Sequence, residues 1–221
     1  MRKKEFLLVI GLALLFVASM TALAQDSSRT ITINGGRDTV YMGPLQPARA
    51  AHGASCVGFY DNICGSGYES TLGFTVCDGV GQCHGEWSPG NQFTSLKTGT
   101  TKKVTLGLGF VQGTNRTLAL LTKDCSGAPC TDPDGNPKSK QLCHGTVKNM
   151  PFFASTSTIT VSFKCKTKLR KGSKYWVVLQ SPVHSWLAWN LSLAATGPVY
   201  FGKNDHLVNE GTRRIGALKV Q

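Results

Sequence analysis

Charge is scarce in this chain, and negative charge scarcest. Only 16% of the 221 residues are charged, with twelve Asp and Glu against 24 Lys and Arg, and there are five His. With 25 Gly and many Thr and Ser, so low a charged fraction points to β structure with numerous turns. Beyond the first two dozen residues no segment sustains a 3.6-residue hydrophobic period, which argues against a helical domain. No apolar run reaches the roughly 20 residues of a spanning helix. The longest, Phe6 to Val17, is about a dozen residues, and no second apolar stretch near the C-terminus would anchor the chain. No lipobox cysteine follows that run, which argues against a lipoprotein anchor. Missing as well are a Gly-x-Ser-x-Gly elbow, a His-Glu-x-x-His pair and a phosphate-cradling loop. The sequence therefore offers no recognisable catalytic residues and is read as non-enzymatic.

The N-terminus reads as an export signal. Arg2, Lys3 and Lys4 form a positive n-region, Phe6 to Val17 the apolar segment, and Ala22-Leu23-Ala24 the small-x-small cleavage pattern before Gln25. Residues 1–24 are assigned to a signal peptide, 25–55 to an N-terminal arm and 56–221 to one domain. Cleavage removes three Lys or Arg and one Glu and leaves 197 residues with 21 basic and 11 acidic side chains, a net +10. A domain of that length buries close to 70% of its surface, so it builds a core without relying on cross-links alone. The expected location is extracellular, or periplasmic in a Gram-negative host.

All eight cysteines fall after the signal: Cys56, Cys64, Cys77, Cys83, Cys125, Cys130, Cys143 and Cys165. An even number in an exported chain implies four disulfides. Eight cysteines allow 105 pairings. Pairing of sequence neighbours is expected: 56–64, 77–83, 125–130, and 143–165 as the longer loop.

Short β-rich segments alternate with turn signals. The arm carries one expected strand, Thr30 to Ile33. From Val104 to Val111, the residues Val104, Leu106, Leu108 and Phe110 share one face at the two-residue strand period. Gly113-Thr114-Asn115 reads as a turn, with Thr117 to Thr122 as hairpin partner. Residues 124–146 read as a long loop, because Asp132-Pro133-Asp134-Gly135-Asn136 cannot continue a strand. Strands resume at Ser157 to Cys165, Lys174 to Gln180 and Ser185 to Leu193, with Tyr200 and Ile215 to Val220 supplying the last. Many short strands at roughly ten-residue intervals predict an all-β, antiparallel sandwich or jelly-roll-like domain stapled by disulfides.

Several short patterns follow one another in a recognisable order. They are Tyr60-Asp61-Asn62, Gly90-Asn91-Gln92-Phe93-Thr94 before Val104-Thr105-Leu106, and Leu118-Ala119-Leu120 before Gly127-Ala128-Pro129. Leu169-x-x-Gly172-x-x-Tyr175-Trp176-Val177-Val178 and Trp189-Asn190 complete the series. Over about 160 residues this order resembles the bacterial choice-of-anchor extracellular domains, most of all the R type. The resemblance implies a surface or secreted β-sandwich without established catalytic residues. Two departures stand out: the chain lacks those proteins' usual sorting tail, and it has more cysteines than the pattern implies.

The metal candidates are weak. Cys83-His84-Gly85 and Cys143-His144-Gly145, with Cys77, bring thiols and imidazoles together, but their spacing fits no zinc motif and export favours cystines. Covalent haem attachment needs Cys-x-x-Cys-His, which is absent. Asp132, Asp134 and Asn136 begin like a calcium loop, yet Pro137 stands where its Gly belongs and no Glu closes it. No cofactor or metal is predicted.

The run from Lys164 to Lys171 has more physical content. In an extended strand Lys164, Lys166, Lys168 and Arg170 project from one face about 6.6–7 Å apart, with Lys171 following, while Cys165 and Leu169 turn inward. Such a stripe attracts acidic polysaccharide or another surface polyanion, without specificity for nucleic acid. It equally describes a solvated face, or an edge strand guarded by lysines. Trp176 and Trp189 are expected in the core, whereas Trp186, on the opposite strand face from Trp189, and Trp87, in a Gly/Pro-rich loop, are the candidates for stacking on a sugar. The first function expected is surface association, adhesion or ligand binding by a secreted domain. The rival, a glycan hydrolase, requires a cleft with two facing carboxylates among Asp61, Glu69, Asp78, Glu86, Asp205 and Glu210.

Overall fold

The computed structural model describes residues 31–34, 38–41, 58–64, 67–83, 85–131, 136–155, 158–181, 184–203 and 206–221. These belong to one compact unit, Ile31–Gln221. The signal-peptide assignment to residues 1–24 lies outside the described residues, as do Asp132 to Gly135. Among the described residues there is no α-helix; strands dominate, with one short 3-10 helix, Pro137–Lys140.

The strands, in chain order, begin with β1 (Ile31–Asn34), β2 (Asp38–Tyr41), β3 (Tyr60–Asp61), β4 (Tyr68–Asp78) and β5 (Glu86–Thr94). They continue with β6 (Gly99–Leu106), β7 (Leu108–Gly113), β8 (Arg116–Cys125), β9 (Ala128–Pro129) and β10 (Cys143–Lys148). Last come β11 (Ile159–Leu169), β12 (Lys174–Gln180), β13 (Ser185–Lys203), β14 (His206–Gly216) and β15 (Leu218–Val220). All pair antiparallel in two sheets. The larger runs β1-β2-β4-β13-β5-β12-β8-β10, with β7 and β14 also along β13 and β9 along β8. The smaller runs β11-β6-β15-β3.

The two sheets close on a shared core, because alternation gives each an apolar inner face. The small sheet contributes Val104, Leu106, Val161, Phe163, Leu169, Leu218 and Val220; the large one meets them with Phe93, Leu121, Tyr175, Val177, Leu187 and Trp189, among others. Trp189 is fully buried, its indole N–H donating to the Ala217 carbonyl at 3.0 Å. Its ring lies against the Gly216 backbone, where a Cβ would come within 2.4–2.6 Å of three ring atoms. Asn62 locks the last strand in place: its amide donates to Gly216 O at 3.0 Å and accepts from Leu218 N at 2.7 Å.

The antiparallel sandwich agrees with the sequence reading, and β12 has the expected bounds. Five segments differ. Val104 to Val111 is two strands, since the chain changes sheets at Gly107: β6 lies in the small sheet, whereas β7 pairs with β13 in the large one. A Cβ on Gly107 would sit 2.8 Å from that of Ala217, so the crossing requires glycine. Consequently Thr117 to Thr122 is not the hairpin partner of that segment, and β8 pairs instead with β10 and β12. The expected loop 124–146 contains β9, the 3-10 helix and the start of β10. β13 continues through Lys203, with β4 and β7 along its first half and β14 and β5 along its second. The stretch read as an arm includes the β1–β2 hairpin, which adds to the large sheet through β4.

Three disulfides have the pairing expected from sequence: Cys77–Cys83, Cys125–Cys130 and Cys143–Cys165. The last joins β10 of one sheet to β11 of the other. Cys64 is also disulfide-bonded, and Cys56 lies outside the described residues. No cysteine among the described residues is free.

The outer face of the large sheet is also partly covered. Leu120, Trp176 and Val178 form a second apolar cluster there, joined by Leu118 and Tyr200. Cys130 and Lys140 come back toward it, their carbonyls 3.3 and 3.4 Å from the Thr122 hydroxyl, whose one proton they share. Asp124 anchors the arrangement: one carboxylate oxygen accepts from the Trp176 indole at 2.7 Å and from the Gln92 amide at 2.6 Å, the other from Gly127 N at 3.1 Å. Burial pushes the Asp124 pKa up, but those hydrogen bonds and the Lys174 charge outweigh it and hold the carboxyl below its usual value.

Candidate functional site

The basic run forms the outer side of β11, the terminal strand of the small sheet. Strand alternation turns Val161, Phe163 and Leu169 inward and leaves Lys164, Lys166 and Lys168 exposed. Arg170 and Lys171 are exposed in the turn that follows. That turn is held by Arg170 N donating to the Tyr175 hydroxyl and Lys171 N to Thr98 Oγ1, each at 3.0 Å. Cys165 departs from the expected core placement: it is exposed, because the β6–β11 ladder breaks between Ser162 and Thr167 and its sulfur reaches across to Cys143.

The neighbouring strand widens the stripe into a face. Lys103 lies opposite Ser162 and Thr100 opposite Lys168, and Lys102 and Lys103 are both exposed. Adjacent strands are about 4.8 Å apart, so β6 adds a second row of cations beside the first. Residues 95–107 and 158–175 contain no Asp or Glu. The nearby Lys219 is neutralised by Asp61 at 3.0 Å, and Lys97 lies over the Phe59 ring at 4.9 Å. Sequence reasoning missed Lys102 and Lys103 because it began this strand at Val104; the signal was the β-branched Thr100 and Thr101 immediately before them.

The aromatic candidates fare differently. Trp186 does point away from Trp189, but it is buried, which corrects its reading as an exposed stacking platform. Its face is covered by Cys77 and Cys83 of the disulfide-closed loop and by Ile31 and Val111, and its indole N–H donates to Thr39 Oγ1 at 3.1 Å. Trp87 lies on β5 and not in the expected loop, is half-buried and meets the Phe201 ring in a T-shaped contact. Trp176 and Trp189 are in the interior, as expected.

A cleft of about 450 Å³ opens on the outer face of the large sheet. Its floor is a register row across three strands, Thr146 of β10, Leu118 of β8 and Gln180 of β12. Lys138 of the 3-10 helix and Arg116 contribute cations to the lining. Opposite charge comes from Asp78 and Glu86, which are register partners in β4 and β5, where Cβ atoms of facing residues stand about 4.5–5.5 Å apart. Of the six carboxylates weighed from sequence, this pair meets in the cleft. Asp61 is paired with Lys219, Glu69 is bonded to Arg214 at 3.0 Å, Glu210 lies on β14, and Asp205 is outside the described residues.

Among the described residues no group of three His, Cys, Asp or Glu is placed to hold a metal ion. Asn136, from the candidate calcium loop, instead caps the 3-10 helix by accepting from Lys138 N at 2.9 Å. The zinc candidates Cys77, Cys83 and Cys143 are consumed in disulfides, and His84 lies outside the described residues. No family model matches the chain, and no curated protein matches it.

Proposed function

We propose that the chain is an exported, non-catalytic β-sandwich that associates with a polyanionic surface, acidic polysaccharide in particular, through the outer face of the small sheet. One observation carries this reading: Lys164, Lys166, Lys168, Arg170, Lys171, Lys102 and Lys103 are exposed on adjacent strands and turns whose sequence contains no carboxylate. Export is supported by the signal-like N-terminus and by disulfides, which persist in oxidising compartments. The resemblance of the motif order to choice-of-anchor domains supports a role at a surface.

The test is retention on immobilised heparin. Beside an anionic surface each cation is worth about 1 kcal/mol, so Lys164, Lys166, Lys168 and Arg170 changed together to Ser should weaken binding by up to about 10³-fold at low salt. The wild type should elute as the Debye length shrinks from about 10 Å at 0.1 M to about 3 Å at 1 M salt. Lys123, Lys140 and Lys148, exposed elsewhere, serve as the control set. Equal losses from both sets would mean that net charge alone governs retention and would refute the proposal.

A glycan hydrolase is the second reading, and the facing Asp78 and Glu86 favour it. Two carboxylates flanking one cleft are the groups that glycoside hydrolysis uses. Release of new reducing ends from a polysaccharide, abolished by Glu86→Gln, would establish that reading and overturn the non-catalytic one.

A further inference from the structure

We infer that the cleft between the β4–β5 end and the 3-10 helix is a second binding site, which takes a neutral, hydroxyl-rich ligand of the saccharide class. It goes beyond the polyanion reading, because it lies on the other sheet and uses different chemistry. At about 450 Å³ it falls within the range of ligand clefts.

The lining selects the ligand by exclusion. Among the described lining residues Leu118 is the apolar one and the rest carry polar groups, so the ligand that fits presents both apolar and hydrogen-bonding surface. The facing carboxylates of Asp78 and Glu86 repel an anion, while Arg116 and Lys138 repel a free cation. Between these charged walls the lining is neutral and hydrogen-bonding, with Thr146 and Gln180 in one row. A hydroxyl group both donates and accepts, so a polyol satisfies the two walls at once, donating to the carboxylates and accepting from the cations. A zwitterion would engage the walls and leave the middle row unpaired.

A second observation points to an occupant. The Oε1 atom of Gln180 is buried and has no hydrogen-bond partner among the described residues. An unmade bond of that kind is costly, and rotation of the amide toward the cleft would exchange it for a bond from a ligand hydroxyl. The backbone beneath is fixed: Thr117 Oγ1 donates to the Gln180 carbonyl at 2.9 Å, and the Ser181 and Ser185 hydroxyls bond to each other at 2.7 Å. Glu86 is oriented by the Ser88 hydroxyl, which donates to its Oε1 at 3.0 Å. The backbone of the row is therefore held by the sheet, and only the Gln180 side chain turns to meet a ligand.

The experiment titrates the oxidised protein with cellohexaose, chitohexaose, maltohexaose, xylohexaose and mannohexaose, followed by side-chain amide resonances and by calorimetry, at 0.15 and 1 M NaCl. At least one sugar is expected to shift the Gln180 amide saturably, with an affinity nearly unchanged by salt. Glu86→Gln, Gln180→Leu and Thr146→Val should each weaken it about tenfold, circular dichroism confirming the fold. The Ser-substituted basic stripe should bind the sugar as the wild type does, so failure of this inference and failure of the polyanion reading are separable. No saturable shift with any of the five sugars, binding that survives Gln180→Leu, or a preference for glycine or a dipeptide would each overturn it.

Discussion

Replacing Asp124 tests how the large sheet holds its outer layer. Trp176 is fully buried, and its indole N–H has the Asp124 carboxylate as acceptor at 2.7 Å. Asp124→Ala removes that acceptor and strands a buried donor, which costs about 1–3 kcal/mol, toward the upper end because the lost acceptor is charged. The Gln92 amide, also nearly buried, loses the same acceptor. With a urea m-value of about 1–3 kcal/mol/M, the unfolding midpoint should fall by roughly 1 M. Asp124→Asn keeps one carbonyl acceptor and should cost less. In a Trp176→Phe background Asp124→Ala should cost about 1 kcal/mol less than in the wild type, the coupling expected of residues in contact.

The pH dependence supplies the refutation. The Asp124 carboxyl is held below its usual pKa in the folded protein, so its charge stabilises the fold above the unfolded-state value, about 3.9. That contribution is lost as pH falls through the lower, folded value. The stability gap between wild type and Asp124→Asn should therefore be widest near neutrality and close below about pH 4. A gap that persists undiminished to pH 2.5, or Asp124→Ala within about 0.5 kcal/mol of wild type at pH 7, would sink the argument.

Thiol titration of the denatured, unreduced protein should find no free thiol, which also tests the expected partnership of Cys56 with Cys64; two reactive thiols per chain would contradict it. Removing Cys143–Cys165, with a separation of 22 residues, should cost about 3 kcal/mol on loop entropy, against about 2 for Cys125–Cys130, with a separation of five, and paired Cys→Ala variants compared by urea unfolding would expose a reversed order. Gly216→Ala should destabilise by about 1–3 kcal/mol by forcing a methyl into the fully buried Trp189 ring, and an unchanged melting midpoint would show that this packing is looser than described.

Strand existence was largely legible, because the two-residue period marks it locally: Lys174–Gln180 matched residue for residue. Pairing was not. Val104, Leu106 and Leu108 keep one apolar alternation although the chain leaves one sheet for the other at Gly107, since every one of them faces the same inter-sheet core. A crossing between sheets that share a core leaves the pattern of burial intact and is invisible in it. The disulfide pairs, by contrast, were open to neighbour pairing, because two close pairs span only five or six residues.

The candidate sites divide along a physical line. Alternation placed both Lys164 and Trp186 on faces turned away from the core, yet one is solvent-facing and the other buried. A lysine carries its own guarantee, since burying an unpaired ammonium costs far more than any packing returns, and a row of them keeps other chain segments off. A tryptophan on an outward face does the reverse: its apolar area rewards whatever covers it, here a disulfide-closed loop and the β1–β2 hairpin. The cleft was hidden for a third reason. Asp78 and Glu86 meet through a hairpin register, and Gln180 joins Thr146 through two further ladders, so the site exists only once the sheet order is known. Charge patterns on one strand can be read from sequence, whereas a site assembled across strands is a property of pairing.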